Sequence, residues 1–225
     1  MSWNGAANKS RISNESRHEP DTLRPRQGIL FVVSSPSGGG KTSLCRRLVA
    51  EMPQVVQSVS YTTRAPRAEE RDGHDYHFIS PDAFQARLDK GEFLEWARVH
   101  EHWYGTSRPQ IETATSAGLD VLLAIDVQGA AQLRERRIEA VHIFILPPSW
   151  EILAARLEAR GAEPAAVRAR RLQVARQELQ HYATYDYMVI NDQLDTAVDT
   201  LKAIIMAERH RVAHVGMAPI THLLA

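Results

Sequence analysis

Apolar residues in this chain gather in short unbroken runs, separated by stretches whose apolar positions recur at helical spacing. Residues 29–34, 119–126, 141–146 and 187–190 read as strands, and a helical pattern follows each. An apolar run without alternation suits a strand covered on both faces. Strands that alternate with helices predict a mostly parallel α/β sheet flanked by helices. Towards the end, Leu194, Val198, Leu201 and Ile205 predict a last helix packed on that sheet.

Two segments break this rhythm. Within residues 58–106, shorter and more polar strand candidates at 76–79 and 93–99 flank one helix that Ser80-Pro81 should start and Gly91 should stop. That segment reads as a small inserted lobe. Residues 149–181 are helical and arginine-rich but interrupted by Gly161 and Pro164, which predicts two helices with a hinge and hence a helical lid. The remaining parts are core: 28–57 with 107–148, and 182–225 with its final strand and helix. Residues 1–27 mix Ser, Asn, Arg, Glu and Pro without periodicity and read as a disordered extension.

Composition narrows the partners more than the fold. With 225 residues, 44% hydrophobic and 24% charged, the chain can bury one globular core. A formal net charge of zero gives no reason to expect a nucleic-acid or membrane partner. Nothing approaches the ~20 apolar residues of a membrane span, and the N-terminal stretch lacks the apolar segment of a secretory signal. Cys45 is the single cysteine, so internal disulfides are excluded and a reducing, cytoplasmic location is expected. Assembly into a homo-oligomer is left open.

The strongest local signal runs from Ser34 to Thr42, Ser-Ser-Pro-Ser-Gly-Gly-Gly-Lys-Thr, after a strand and at the start of a helix. Ser37, Gly38, Gly39 and Gly40 can bring backbone N–H groups close to phosphate oxygens, and the helix N-terminus adds a favourable dipole. Lys41 supplies a mobile positive charge for the β- and γ-phosphates, and Thr42 a hydroxyl ligand for Mg²⁺. The common phosphate-loop pattern has glycine where this chain has Ser35. This is the mark of a P-loop NTPase fold, although the loop alone leaves kinases, GTPases and ATPases open.

A second constellation names an acceptor. Arg64, Arg67 and Tyr76 are the donors that a monophosphate dianion needs. Glu95 can accept both N1–H and N2–H of a guanine edge, with Ser60 and Thr106 as candidate hydroxyls for O6. The arginines Arg156, Arg160, Arg168, Arg170, Arg171 and Arg176 have few acids among them, which disfavours a merely solvated helix face.

Taken together, these segments resemble the guanylate kinase family, and its bacterial members in particular, from Gly28 to about Arg211. The likeness rests on the loop, Thr62-Thr63-Arg64-x-Pro66-Arg67, Asp75-Tyr76-x-Phe78, Glu92-Phe93-Leu94-Glu95, Tyr104-Gly105-Thr106, Ile125-Asp126-x-Gln128-Gly129, Pro147-Pro148-Ser149, Arg160-Gly161 and Tyr185-Asp186-Tyr187. The resemblance implies transfer of the γ-phosphoryl group of ATP to GMP, with Mg²⁺. It implies GMP-binding roles for Ser60, Arg64, Arg67, Tyr76, Glu95, Tyr104, Thr106 and Asp126. Lys41, Arg64, Arg160 and Arg171 match positions regarded as catalytic, and Asn191 with Asp192 a stretch near the adenine. The chain departs from the family at Ala124, where most members carry a carboxylate, and at Glu69-Glu70, where Gly-Glu is usual. Asp126 also has a plainer use, as a strand-end helix cap. Two rival readings are a catalytically inactive phosphopeptide-binding module and a related sugar-phosphate kinase. Lys41 with the lid arginines opposes the first, and Glu95 with the lobe opposes the second.

Overall fold

The computed structural model describes residues 26–99, 101–159, 165–215 and 223. The chain opens with β1 (Leu30–Ser34), α1 (Lys41–Glu51) and β2 (Val55–Gln57). A second group follows: β3 (Tyr61–Thr62), β4 (His77–Phe78), α2 (Pro81–Asp89), β5 (Phe93–Val99) and β6 (His102–Ser107). Then come α3 (Arg108–Ser116), β7 (Asp120–Ala124), α4 (Val127–Glu135) and β8 (Val141–Leu146). The helices α5 (Trp150–Glu158) and α6 (Ala165–Leu179) lead through a 3-10 turn to β9 (Tyr187–Ile190), α7 (Leu194–Arg209) and α8 (Val212–Val215).

Five strands form a sheet in the order β2-β7-β1-β8-β9, and every neighbouring pair is parallel. The central β1 explains its own sequence. Phe31 and Val33 join Leu44, Ile143, Ile145 and Leu201 on the face covered by α1 and α7. Leu30 and Val32 join Val121, Leu123 and Leu133 on the other face, with Ile111 of α3. Both faces are covered, so no polar alternation is needed.

The second sheet has the order β4-β3-β6-β5 and is antiparallel except between β3 and β4. Its helix α2 starts where expected, because Ser80 Oγ accepts the Ala83 N–H at 3.1 Å and Pro81 follows. Phe84 of that helix stacks on Phe93 at 4.4 Å between centroids.

Two strands are shorter than the apolar runs suggest. The run 119–126 stops pairing at Ala124, because the Ile125 carbonyl accepts from Lys41 and Asp126 turns to cap α4. In the run 76–79 only His77 and Phe78 are strand, and the Phe78 N–H, which faces away from β3, is taken by Asp72 Oδ1 at 2.9 Å.

Leu201 of α7 has no exposed surface and sits in the core between α1 and the sheet. Leu201→Ala is expected to destabilise the protein by about 2–5 kcal/mol, read in urea unfolding as a lower midpoint with an unchanged slope.

Candidate functional site

The loop between β1 and α1 lies at the carboxyl end of the central strand, where open parallel sheets place their ligands. Its shape is held from beneath. Asn191, buried just after β9, donates from Nδ2 to the Gly39 carbonyl at 2.9 Å. Gly40 has φ +90°, and a Cβ there would lie 2.1 Å from that same Nδ2. Both the conformation and the space therefore demand glycine. Arg156 of α5 secures Asn191 in turn, donating to its carbonyl at 3.1 Å. The amide of Asn191, expected near an adenine, is thus spent on the loop, while Asp192 beside it is exposed.

Lys41 Nζ donates to the Ile125 carbonyl at 2.6 Å. Burial pushes its ammonium pKa down, with the Asp126 carboxylate opposing. Thr42 is exposed beside it. The Ser37 N–H, expected to face a phosphate, is committed to Glu178 Oε2 of α6 at 3.0 Å.

The lobe contributes a buried acid. The register of β5 and β6 sets Glu95 opposite Thr106, and Thr106 Oγ1 donates to Glu95 Oε1 at 2.5 Å. Glu95 is only 4% exposed, and burial pushes its carboxyl up to about 7, although the Thr106 hydroxyl opposes the shift. Its other oxygen faces Gly129 of α4, where a Cβ would come within 2.5 Å of Oε2. Asp126 does cap α4, its Oδ1 accepting the Gly129 N–H at 2.9 Å, and Gln128 Nε2 donates to Oδ2 at 3.3 Å.

Arg64 stands over the Tyr76 ring at 5.5 Å, and Tyr104 meets that ring edge-on at 5.8 Å. The Arg64 guanidinium donates from Nη2 to both oxygens of Glu70 at 2.8 Å, and Glu70 also accepts the Arg67 N–H at 2.9 Å. Although burial works against it, these hydrogen bonds hold the Glu70 carboxyl below its ordinary range. In the sequence Glu70 shows only as part of the Glu69-Glu70 departure. Its position among two arginines was the available signal.

A cavity of about 1240 Å³ joins the two halves, with Lys41, Thr42, Ser60, Arg67, Tyr76 and Arg171 in its wall. Ala124 is part of the same wall. Arg64, Glu95, Tyr104, Thr106 and Asp126 are not, and Arg160 lies outside the described residues. Another cavity, of about 600 Å³ and lined by Gly28, Val141, Tyr187 and His214 among others, includes none of the predicted site residues.

The sequence profile of the family described as "Guanylate kinase" matches residues 27–208. The chain is similar to the guanylate kinase of Geobacter metallireducens, 48% identical over 190 residues that cover 84% of this chain and 94% of that protein. The guanylate kinase of Chromohalobacter salexigens is 48% identical over 191 residues, 85% of this chain and 89% of that one. A crystal structure of guanylate kinase from Anaplasma phagocytophilum is similar in fold, with a TM-score of 0.71 and 34% identity over 84% of this chain and 90% of that one.

The buried carboxyl of Glu95 makes stability depend on pH. Its folded value of about 7 exceeds the ordinary 4.5, so below about 4.5 both states are protonated and ionisation costs the fold nothing. The cost grows between those values and is complete above about 7. Glu95→Gln, measured without nucleotides, is expected to stabilise the protein at pH 8 by on the order of 3 kcal/mol. The gain should vanish at pH 4. A gain equal at both pH values contradicts the burial account.

Proposed function

The chain belongs to the guanylate kinase family and is an enzyme of it, and on that footing we propose how its residues move the γ-phosphoryl group of ATP onto GMP, giving ADP and GDP in purine nucleotide metabolism. The observation that carries this reading is the junction itself. The phosphate loop and the Glu95–Thr106 pair meet at the turn between β7 and α4: Lys41 donates to the Ile125 carbonyl, and Glu95 Oε2 lies against Gly129, whose N–H Asp126 accepts. Phosphoryl transfer asks for two mutually repelling anions held in line, so positioning and positive charge do most of the catalytic work.

On the ATP side, Ser37 to Thr42 form the phosphate cradle, Ser37 through its hydroxyl while its N–H stays on Glu178, and Lys41 exchanges the Ile125 carbonyl for phosphate oxygens. Phosphate oxygens there offset the burial that lowers the ammonium pKa. Asn191 keeps the loop in shape from beneath, with Asp192 next to the adenine. Thr42 is the residue that would hold Mg²⁺ together with the phosphate oxygens. The fit is a hydroxyl in the same cavity wall as Lys41, in a protein whose described residues form no separate group of three or more His, Cys, Asp or Glu side chains able to hold a metal. A bound Mg²⁺ would neutralise charge between the phosphates.

On the GMP side, Arg64, Arg67, Tyr76 and Tyr104 take the monophosphate, and Arg64 must then share or release Glu70. Glu95 accepts the two donors of the guanine edge, with Ser60 and Thr106 as the hydroxyls. Since Glu95 is only 4% exposed, a base reaches it only with movement of the lobe. Asp126 already accepts from Gly129 at Oδ1 and from Gln128 at Oδ2, and Ala124 offers no second carboxylate. This arrangement weakens binding without changing the reaction. Arg171 and Arg160 neutralise the transferring group and help exclude water. The reactants are small molecules, and we place the enzyme in the cytoplasm. No described helix is long and apolar enough to cross a membrane. A binding module without catalysis would need neither Lys41 nor the loop, and a sugar phosphate presents no edge for Glu95.

Release of ADP, followed by a coupled assay with a panel of acceptors, tests this. Turnover is expected with GMP and little with AMP, CMP or UMP. No turnover with GMP, or equal turnover with AMP, would overturn the reading. Lys41→Ala is expected to lower kcat by about 10²–10³-fold. Glu95→Gln should instead raise KM for GMP by about 10-fold or more and relax base choice. Because guanine needs the ionised carboxylate, KM for GMP should rise as pH falls below about 7 in the parent enzyme, and that component should be missing in Glu95→Gln.

A further inference from the structure

The two lid helices meet through Leu153 and Leu157 of α5 and Leu172 and Ala175 of α6. On α6, Arg171 and Glu178 are seven residues apart, so they share one side of the helix about 10 Å apart along its axis. Arg171 is in the cavity wall with Lys41 and Thr42, whereas Glu178 accepts the Ser37 N–H at 3.0 Å. One helix face thus touches the phosphate loop at one end and presents an arginine to the phosphate cavity at the other.

We infer that Glu178 is a positioning residue that pins α6 to the phosphate loop and thereby sets where Arg171 meets the transferring phosphoryl group. This rests on the reading of Arg171 as catalytic. An arginine at the end of a long, flexible side chain stabilises a transition state only if its backbone is placed to within about 1 Å. The hydrophobic contact between α5 and α6 fixes the helices against each other, and Arg156 ties α5 to the Asn191 carbonyl, yet neither contact sets how α6, which carries Arg171, is turned towards the loop. The Glu178–Ser37 hydrogen bond supplies the directed contact that removes this freedom. Its carboxyl is partly buried and pushed up by that burial, with the Ser37 N–H and Lys41 drawing it back and Asp126 adding to the rise. Such a group is costly to leave without its donor. The contact joins residues 141 positions apart, so it exists only when lid and loop are docked.

A double-mutant cycle separates positioning from mere stability. Glu178→Ala is expected to lower kcat by about 10- to 100-fold while KM for GMP stays unchanged. Glu178→Gln, whose amide oxygen can still accept the Ser37 N–H, should keep kcat within about threefold of the parent. In an Arg171→Ala background, Glu178→Ala should cost nothing further. An equal loss in both backgrounds would show that Glu178 does not act through Arg171, and an unchanged kcat in Glu178→Ala would overturn the proposal outright. Full activity in Arg171→Ala alone would sink the Arg171 assignment first, and this proposal with it. Should Glu178→Ala fail to fold, Glu178→Asp, one methylene shorter, is expected to give the same split between kcat and KM.

Discussion

Taking a charged group out of water costs several kcal/mol unless something nearby replaces the lost solvation, and this chain brings a carboxylate and an ammonium into one such junction. Among the described residues, Glu95 is buried with one hydroxyl, from Thr106, and Lys41 is partly buried against one carbonyl, from Ile125. Burial shifts the pKa of both, the acid upward and the base downward. The protein alone satisfies neither group fully. A base edge with two donors would complete one and a phosphate would complete the other, so the fold holds its two ligand preferences as unmet solvation.

The rest of the architecture can be understood as the support this requires. The parallel sheet, covered on both faces, gives β1 a fixed end from which the loop can project its N–H groups. The antiparallel register of β5 and β6 fixes Glu95 opposite Thr106, and Gly129 leaves room for the second oxygen. Salt bridges serve the same end in looser fashion. Glu70 holds Arg64 in the lobe, and Asp75 reaches Arg46 on α1 at 2.9 Å, tying the lobe to the core across the cavity. The Arg46–Asp75 pair, with Arg46 well exposed, adds little stability.

Much of this was legible in the sequence wherever the signal is local. Apolar runs gave the strands because a doubly covered strand has no polar face, and Ser80 marked a helix start because it accepts an N–H three residues on. The phosphate loop was legible because its chemistry is contiguous. The donor pattern of guanine singles out Glu95 as a candidate, yet its burial and its bond to Thr106 depend on a register that includes a bulge between Phe93 and Glu95. What stayed hidden depends on folding. No spacing shows that Asn191 must lie under Gly40 or that Glu178 must reach Ser37. The early end of β7 at Ala124 was hidden too, since Lys41 and the cap at Asp126 decide it rather than the apolar run.

The claim at the centre of this account is that a buried carboxylate reads the guanine edge. It is tested most directly by calorimetric binding of GMP against inosine monophosphate, which differs only by lacking the 2-amino group. If Glu95 accepts from that group, GMP should bind at least about tenfold more tightly, since a hydrogen bond to a charged acceptor contributes about 1.5–3 kcal/mol. Equal affinities for the two nucleotides would contradict it.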